Sequence, residues 1–315
     1  MSTQDEQVVE GFAGPGGWSQ GLRLAGFRGR ARGVELNAAA CATARAAGHE
    51  RVHGDVAAVD PRMFGPAEGV VQSPPCPGLS VAGSRKGLGD RAAIRDRMTA
   101  FAAGDTPPVV EWADPRSPLS AEPLRWVRAL LPRWVALEQV RAALPLWEHA
   151  ADLLTQLGYR VWCGVLAAED YGVPQTRRRA VLMARRDGLP VDRPRVTFPV
   201  PVSMADALGW DGAVLVSNYG TGGDPRRRGR RPMTAPAFTV TGRCGRNKWE
   251  HPDGTRRALT LAEAGQLQGF PADYPWTGDV TARQQQIGDA VPPPLAAAVL
   301  APLVQYQAHP VPVAA

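Results

Sequence analysis

Cys76 stands in Gln72-Ser73-Pro74-Pro75-Cys76-Pro77-Gly78-Leu79-Ser80, directly after the apolar run Gly69-Val70-Val71. The pattern reads as a buried strand ending in a proline-braced turn, and ligands of open α/β sheets collect at the carboxyl ends of strands. A thiol held there is a candidate nucleophile once part of it is thiolate. Taken alone, the same residue is as readily a small buried hydrophobe. Other strand ends carry chemistry too. Phe12-Ala13-Gly14-Pro15-Gly16-Gly17 joins a strand to a helix, where glycines let the backbone approach a ligand at the helix N-terminus. Glu35 ends the second strand, where a carboxylate can bind ribose hydroxyls; Asp55, in Gly54-Asp55-Val56, ends the third, where it can accept from an adenine amino group. Together they point to an adenosine-type cofactor. No Gly-x-x-x-x-Gly-Lys-Ser/Thr run is present, which disfavours a nucleoside triphosphate.

The elements that must position these residues alternate. Strands are predicted at Val8–Phe12, Arg32–Leu36, Arg51–Val56, Gly69–Ser73 and Trp134–Val140. Helices are predicted at Trp18–Ala25, Ala38–Ala47, Leu119–Leu131 and Leu146–Leu157, several of them closed by glycine. Tyr159–Leu166 and Ala180–Arg185 read as a hairpin-like pair, and residues 81–118, rich in Gly, Arg, Asp and Pro, as a long loop. The fold class is α/β, a doubly wound, mostly parallel sheet. From Pro190 to about Arg256, Pro, Gly and Arg dominate, which predicts a small, irregular, β-rich second domain. Leu261–Leu267 and Pro293–Tyr306 read as helices. The expected division is a catalytic domain over 1–190, completed by a C-terminal helix over 283–308, with the small domain over 191–282.

The chain has 315 residues and a net charge of +6, with arginine supplying nearly all the positive charge; Lys86 and Lys248 are its lysines. The density of Asp224-Pro225-Arg226-Arg227-Arg228-Gly229-Arg230-Arg231 suggests phosphate neutralisation. No apolar run approaches the ~20 residues of a membrane span, so no membrane partner is expected. Cys41, Cys76, Cys163 and Cys244 lie far apart with no Cys-x-x-Cys pair, which argues against zinc and a disulfide framework and for a reducing cytoplasm.

In order along the chain, these motifs resemble the DNA (cytosine-5)-methyltransferase family. Phe12–Gly17 matches its cofactor loop and Pro74-Pro75-Cys76 its nucleophile. Glu138-Gln139-Val140 stands at its Glu-Asn-Val position and Gln175-Thr176-Arg177-Arg178-Arg179 at its Gln-x-Arg-x-Arg position. Arg257-Ala258-Leu259-Thr260 leads through Glu263 to Leu267-Gln268-Gly269-Phe270-Pro271, and Gly288-Asp289-Ala290-Val291 stands at the Gly-Asn-Ala-Val position. The resemblance runs from residue 8 to about 305.

It implies a Rossmann-like methyltransferase domain with a target-recognition domain, double-stranded DNA as partner, a monomer, and S-adenosylmethionine as cofactor, leaving as S-adenosylhomocysteine. Phe12, Ala13, Gly14, Pro15, Gly16, Gly17, Glu35, Leu36, Asp55, Val56, Pro75, Asp289 and Val291 would hold that cofactor. Cys76 would attack carbon 6 of a flipped cytosine, with Glu138, Arg177 and Arg179 holding the base or one another. Ser80, Arg85, Lys86 and Arg91, in a loop placed to close over the base, and Arg226, Arg227, Arg228, Arg230 and Arg231 would contact DNA. The chain departs from the pattern at Gln139, which is one methylene longer than Asn, at Asp289, a carboxylate where the family has an amide, and at Glu10-Gly11, where Asp-Leu is usual. Three other readings stay open: a transfer RNA methyltransferase on the same fold, transfer of a group other than methyl, and a non-catalytic DNA-binding relative.

Overall fold

The computed structural model describes residues 6–75, 89–217, 224 and 227–304. Its first part runs β1 (Gln7–Gly11), α1 (Gly17–Leu24), β2 (Arg30–Glu35), α2 (Ala38–Ala46), β3 (Glu50–His53), β4 (Gly69–Gln72), α3 (Arg91–Ala103), α4 (Glu122–Leu130), β5 (Trp134–Val140), α5 (Leu144–Gln156), β6 (Arg160–Ala167), β7 (Gln175–Thr176) and β8 (Arg178–Arg185). Seven of the described strands form one sheet, ordered β3-β2-β1-β4-β5-β8-β6. The first five in that order are parallel; β8 is antiparallel to both β5 and β6. The order reverses between β1 and β4, which opens a crevice beyond their carboxyl ends.

Alternate residues of the central strands feed two cores, as the period of two in a strand requires. Val9, Val70, Val135 and Leu137 pack on one face with Ile94, Met98, Leu124 and Trp147 from α3, α4 and α5. Val8, Val71, Trp134 and Ala136 pack on the other with Trp18 and Leu22 of α1 and with the last helix. Being covered on both faces makes these strands continuous apolar runs.

The chain continues as α6 (Met204–Leu208), β9 (Val214–Val216), β10 (Arg230–Pro232), β11 (Ala237–Phe238), β12 (Lys248–Glu250), β13 (Arg256–Ala258), α7 (Leu261–Leu267), α8 (Val280–Asp289) and α9 (Pro293–Val304). A four-stranded antiparallel sheet, ordered β10-β9-β12-β13, closes over Met204, Leu215, Met233, Trp249, Leu267 and Ile287. A separate two-stranded sheet pairs β11 in parallel with β7, the short strand just before β8.

Three local expectations are corrected. Residues 81–118 are not all loop: α3 begins at Arg91, and Ile94, Met98 and Phe101, spaced for one helical face, are buried. Its polar composition hid that short stripe. The single C-terminal helix over 283–308 is two helices. Ala290 turns extended, with φ −60° and ψ 143°, because Pro292, Pro293 and Pro294 remove N–H donors and disfavour helix in the residue preceding each. The apolar α9 is a core helix: Leu295, Ala296, Val299, Leu300 and Leu303 are buried. Finally, β3 stops at His53, so Asp55 lies in the following loop.

Candidate active site

Because β8 runs antiparallel to β5, its first residues return to the carboxyl edge of the sheet; the register pairs Val140 with Arg179. The Arg179 Nε lies 2.8 Å from Glu138 Oε1, and both side chains are largely shielded from solvent. The amide of Gln139 supplies a brace beside them. Its Nε2 donates to the Pro74 carbonyl at 2.5 Å, and its Oε1 accepts from the Val140 N–H at 2.6 Å. The longer amide therefore ties the Pro74-Pro75 turn to β5. Ser73 Oγ accepts from Trp18 Nε1 at 2.8 Å and fixes the same turn from the α1 side. Cys76 lies outside the described residues. The three cysteines within them are poor nucleophiles: burial pushes the thiol of Cys163 up to about 12 and that of Cys244 up to about 11, and also raises Cys41.

The glycine loop after β1 is held from below. Arg51, buried with Glu10 and Ser19, donates to both side chains and to the Ala13 and Gly14 carbonyls. Glu10 is thus the partner of a buried cation. Tyr274 Oη donates to the Pro15 carbonyl at 2.6 Å. A Cβ on Gly17 would come within 2.2 Å of the Val291 carbonyl, so the last motif lies directly against this loop. His49 packs beneath Gly16, and burial, reinforced by Arg23 and Arg51, pulls its pKa down to about 3. On the other side the loop is open: Gly14, at φ +53°, faces no protein atom within 4 Å of where a Cβ would stand. Its N–H donates to Glu35 Oε2 at 2.8 Å, while Glu35 Oε1 accepts from the Asn37 N–H. Leu36 is 65% exposed beside it, Asp55 is exposed, and Val56 is buried.

Arg177 does not point at the catalytic edge. It is fully buried and donates to the carbonyls of Val240, Gly288 and Ala290 at 3.0, 3.1 and 3.3 Å. The residues four beyond Gly288 and Ala290 are Pro292 and Pro294, which have no N–H to offer. Arg177 therefore caps α8. Two glutamines complete a closed ring. The Val240 N–H donates to Gln175 Oε1, Gln175 Nε2 donates to Gln268 Oε1, and Gln268 Nε2 donates to the same Ala290 carbonyl. Burial lowers the Arg177 pKa to about 9, with Arg179 adding to the shift and Glu138 and Asp289 opposing it.

Asp289, at the end of α8, accepts from Gln285 Nε2 at 2.5 Å. It is exposed at its surface, yet desolvation by the protein around it raises its pKa against the pull of Gln285, Arg177, Arg179 and Arg116. Arg116, absent from the sequence reading, adds to that pull from the stretch taken as loop. It is clamped by Asp114, while buried Asp90 accepts from the N–H groups of Ala113 and Asp114 and from Ser117 Oγ.

A model of the C-5 cytosine-specific DNA methylases matches residues 7–98, 111–209 and 211–305. The chain belongs to this family. It is 30% identical to the type II methyltransferase M1.HphI of Haemophilus parahaemolyticus, over 92% of this chain and 84% of the relative. It is also 30% identical to M.NaeI of Lentzea aerocolonigenes, over 94% and 74%. The fold resembles solved structures of Spodoptera frugiperda DNMT2 (TM-score 0.67, 15% identity, 96% of this chain and all 100% of the other) and S. pombe Dnmt2 (TM-score 0.66, 14% identity, 95% and 98%). The chain is a DNA (cytosine-5)-methyltransferase, and the family implies S-adenosylmethionine as its cofactor.

In this methylase the basic residues named from sequence divide. Ser80, Arg85, Lys86 and Arg226 lie outside the described residues. Arg91 opens α3 and donates to the Ala142 carbonyl at 3.0 Å, so it is tied down rather than carried on a closing loop. Arg230 is ion-paired with Glu250. Arg231 lies over the Phe238 ring at 4.2 Å and donates to the Pro236 and Ala237 carbonyls and to Thr176 Oγ1. Packing and pairing therefore occupy both. Arg227 is exposed and Arg228 half-buried.

Proposed function

We propose that this methyltransferase modifies cytosine in double-stranded DNA as a monomer, through a covalent Cys76 adduct, with Glu138 as the proton donor at the ring and Arg179 holding it in place. The observation that carries this reading is the Arg179–Glu138 contact beside the Gln139–Pro74 brace, which sets a carboxylate next to the turn that leads into Cys76. Carbon 5 of cytosine is a poor nucleophile. A Cys76 thiolate bonding to carbon 6 pushes the ring π electrons toward nitrogen 3, where Glu138 can supply a proton, and leaves carbon 5 enamine-like. S-adenosylmethionine supplies the electrophilic methyl. Loss of the carbon 5 proton to water then returns electrons to the ring and expels the thiolate, and nitrogen 3 gives its proton back to Glu138. Arg179 keeps Glu138 oriented toward the base.

The residues around the glycine loop fit that cofactor. Gly14 leaves open space for close approach, Leu36 offers an apolar shelf, and Glu35 and Asp55 offer carboxylates. Asp289 would face the sulfonium. Arg177 serves the reaction as a brace rather than a base contact. Arg227 and Arg228, with Arg226, would neutralise phosphates. The type II methyltransferases among its relatives favour a restriction-modification setting.

The test uses duplex DNA containing 5-fluorocytosine, in which fluorine cannot leave as a proton does. The wild-type protein should form a denaturant-stable adduct and Cys76→Ala should not. An adduct with Cys76→Ala would overturn the assignment. Bisulfite-type sequencing of DNA from expressing cells would report target base and context.

A further inference from the structure

Most basic groups of the small sheet are occupied; Lys248 on β12 is exposed without an ion pair among the described residues but lacks the fork of a guanidinium. Glu250 takes Arg230 and Arg256, Glu263 takes Arg257, and Phe238 takes Arg231. Arg243 and Arg246 are exposed, and neither has a carboxylate within ion-pair distance among the described residues. Both sit on the turn Thr241-Gly242-Arg243-Cys244-Gly245-Arg246.

This turn is stiff. The N–H groups of Cys244, Arg246 and Asn247 donate to the carbonyls of Thr241, Arg243 and Cys244 at 2.9, 3.0 and 3.0 Å. Arg243 is the N-cap of this 3₁₀ turn and Arg246 its last residue, so their backbones stand about 6 Å apart along its axis. Cys244 and Asn247 are buried and anchor the turn from within. Its glycines lie on α8. A Cβ on Gly242 would come within 2.4 Å of Gln285 Oε1, one on Gly245 within 2.2 Å of Gln284 Nε2, and one on Gly288 within 1.9 Å of the Gly242 nitrogen. Gln285 holds Asp289, and the residue before the turn, Val240, is held by Arg177 and Gln175. The backbone that carries these two guanidinium groups is thus set at a fixed distance from the candidate active site.

We infer that Arg243 and Arg246 read guanines in the major groove of the target site, next to the cytosine being modified. This rests on the DNA methyltransferase reading above. A forked guanidinium matches the O6 and N7 acceptors of guanine, and contact with base edges rather than phosphate calls for such rigid placement. Backbones about 6 Å apart let the two side chains reach bases one or two steps of about 3.4 Å apart. The recognition sequence accordingly contains guanines one or two steps apart.

The experiment methylates a randomised duplex library with wild-type, Arg243→Gln, Arg246→Gln and Arg243→Lys proteins, sequences the modified sites, and measures binding against salt. Wild-type protein should require guanine at two such positions. Each Gln variant should lose preference at one of them, by about 5- to 150-fold, with the salt slope unchanged. Arg243→Lys should keep the charge but lose the fork, and relax the same position as Arg243→Gln. Uniform weakening over all sequences, with the slope reduced by about 0.9 per variant, would make these residues phosphate contacts and overturn the inference. A wild-type motif without guanine would overturn it alone. Failure of the wild-type protein to methylate any DNA would overturn the reading beneath it as well.

Discussion

Replacing Arg177 by Met removes a buried guanidinium while keeping most of its volume. Three carbonyls lose a donor, but Ala290 retains Gln268 Nε2 at 2.6 Å. Val240 and Gly288 are left as buried acceptors, and Pro292 stands where the helix would otherwise have supplied an N–H for Gly288. At about 1–3 kcal/mol for each unsatisfied group, the loss is roughly 4 kcal/mol. Burial of the cation works the other way, since its pKa is lowered to about 9. The net loss is therefore below about 4 kcal/mol, and Tm should fall by less than roughly 12 °C at about 2–3 °C per kcal/mol for a chain of this size. Arg177→Lys should recover part of it. Below the transition, kcat at saturating DNA and S-adenosylmethionine should stay within about tenfold of wild type, because no reacting group is removed. Thermal melts and steady-state kinetics on the same preparations check both arms. An unchanged Tm with a collapse of kcat would show that Arg177 touches the base and that the capping argument is wrong.

Glu138→Gln should lower kcat by at least ~100-fold, as for a lost acid–base group, with DNA affinity nearly unchanged; normal turnover with poor DNA binding would refute the role. Asp289→Asn should raise KM for S-adenosylmethionine without lowering kcat, because a carboxylate stabilises the sulfonium in the ground state more than in the transition state, where its charge is being lost. A large fall in kcat would count against this. His49 is held near 3, well below its unfolded value of about 6.5. The unfolded chain therefore binds the extra proton as pH falls through 6.5, and stability drops with it. Between pH 7 and 5.5 the wild-type protein should lose about 1 kcal/mol that His49→Gln does not, measurable by urea unfolding.

The chemistry was legible in the sequence because it depends on residue types held at strand ends. The glycine loop, Glu35, the Pro74-Pro75 turn and Glu138 all fall where alternating strand and helix patterns place the carboxyl edge of a parallel sheet. The apolar runs of the central strands, buried on both faces, announced that sheet. Residue order could not say which of Arg177 and Arg179 meets Glu138. They are two apart and share strand parity, but Arg177 falls in the break between β7 and β8 and turns toward carbonyls that only the packed α8 and Val240 bring near. Nor could it say which arginines stay available. Arg230 is paired because Glu250 arrives on β12, twenty residues later, while Arg243 and Arg246 are held outward by glycines packed on a helix some forty residues downstream. Strand ends are local consequences of pattern. Partners for a charge are decided by segments distant in the chain, and only tertiary packing brings those together.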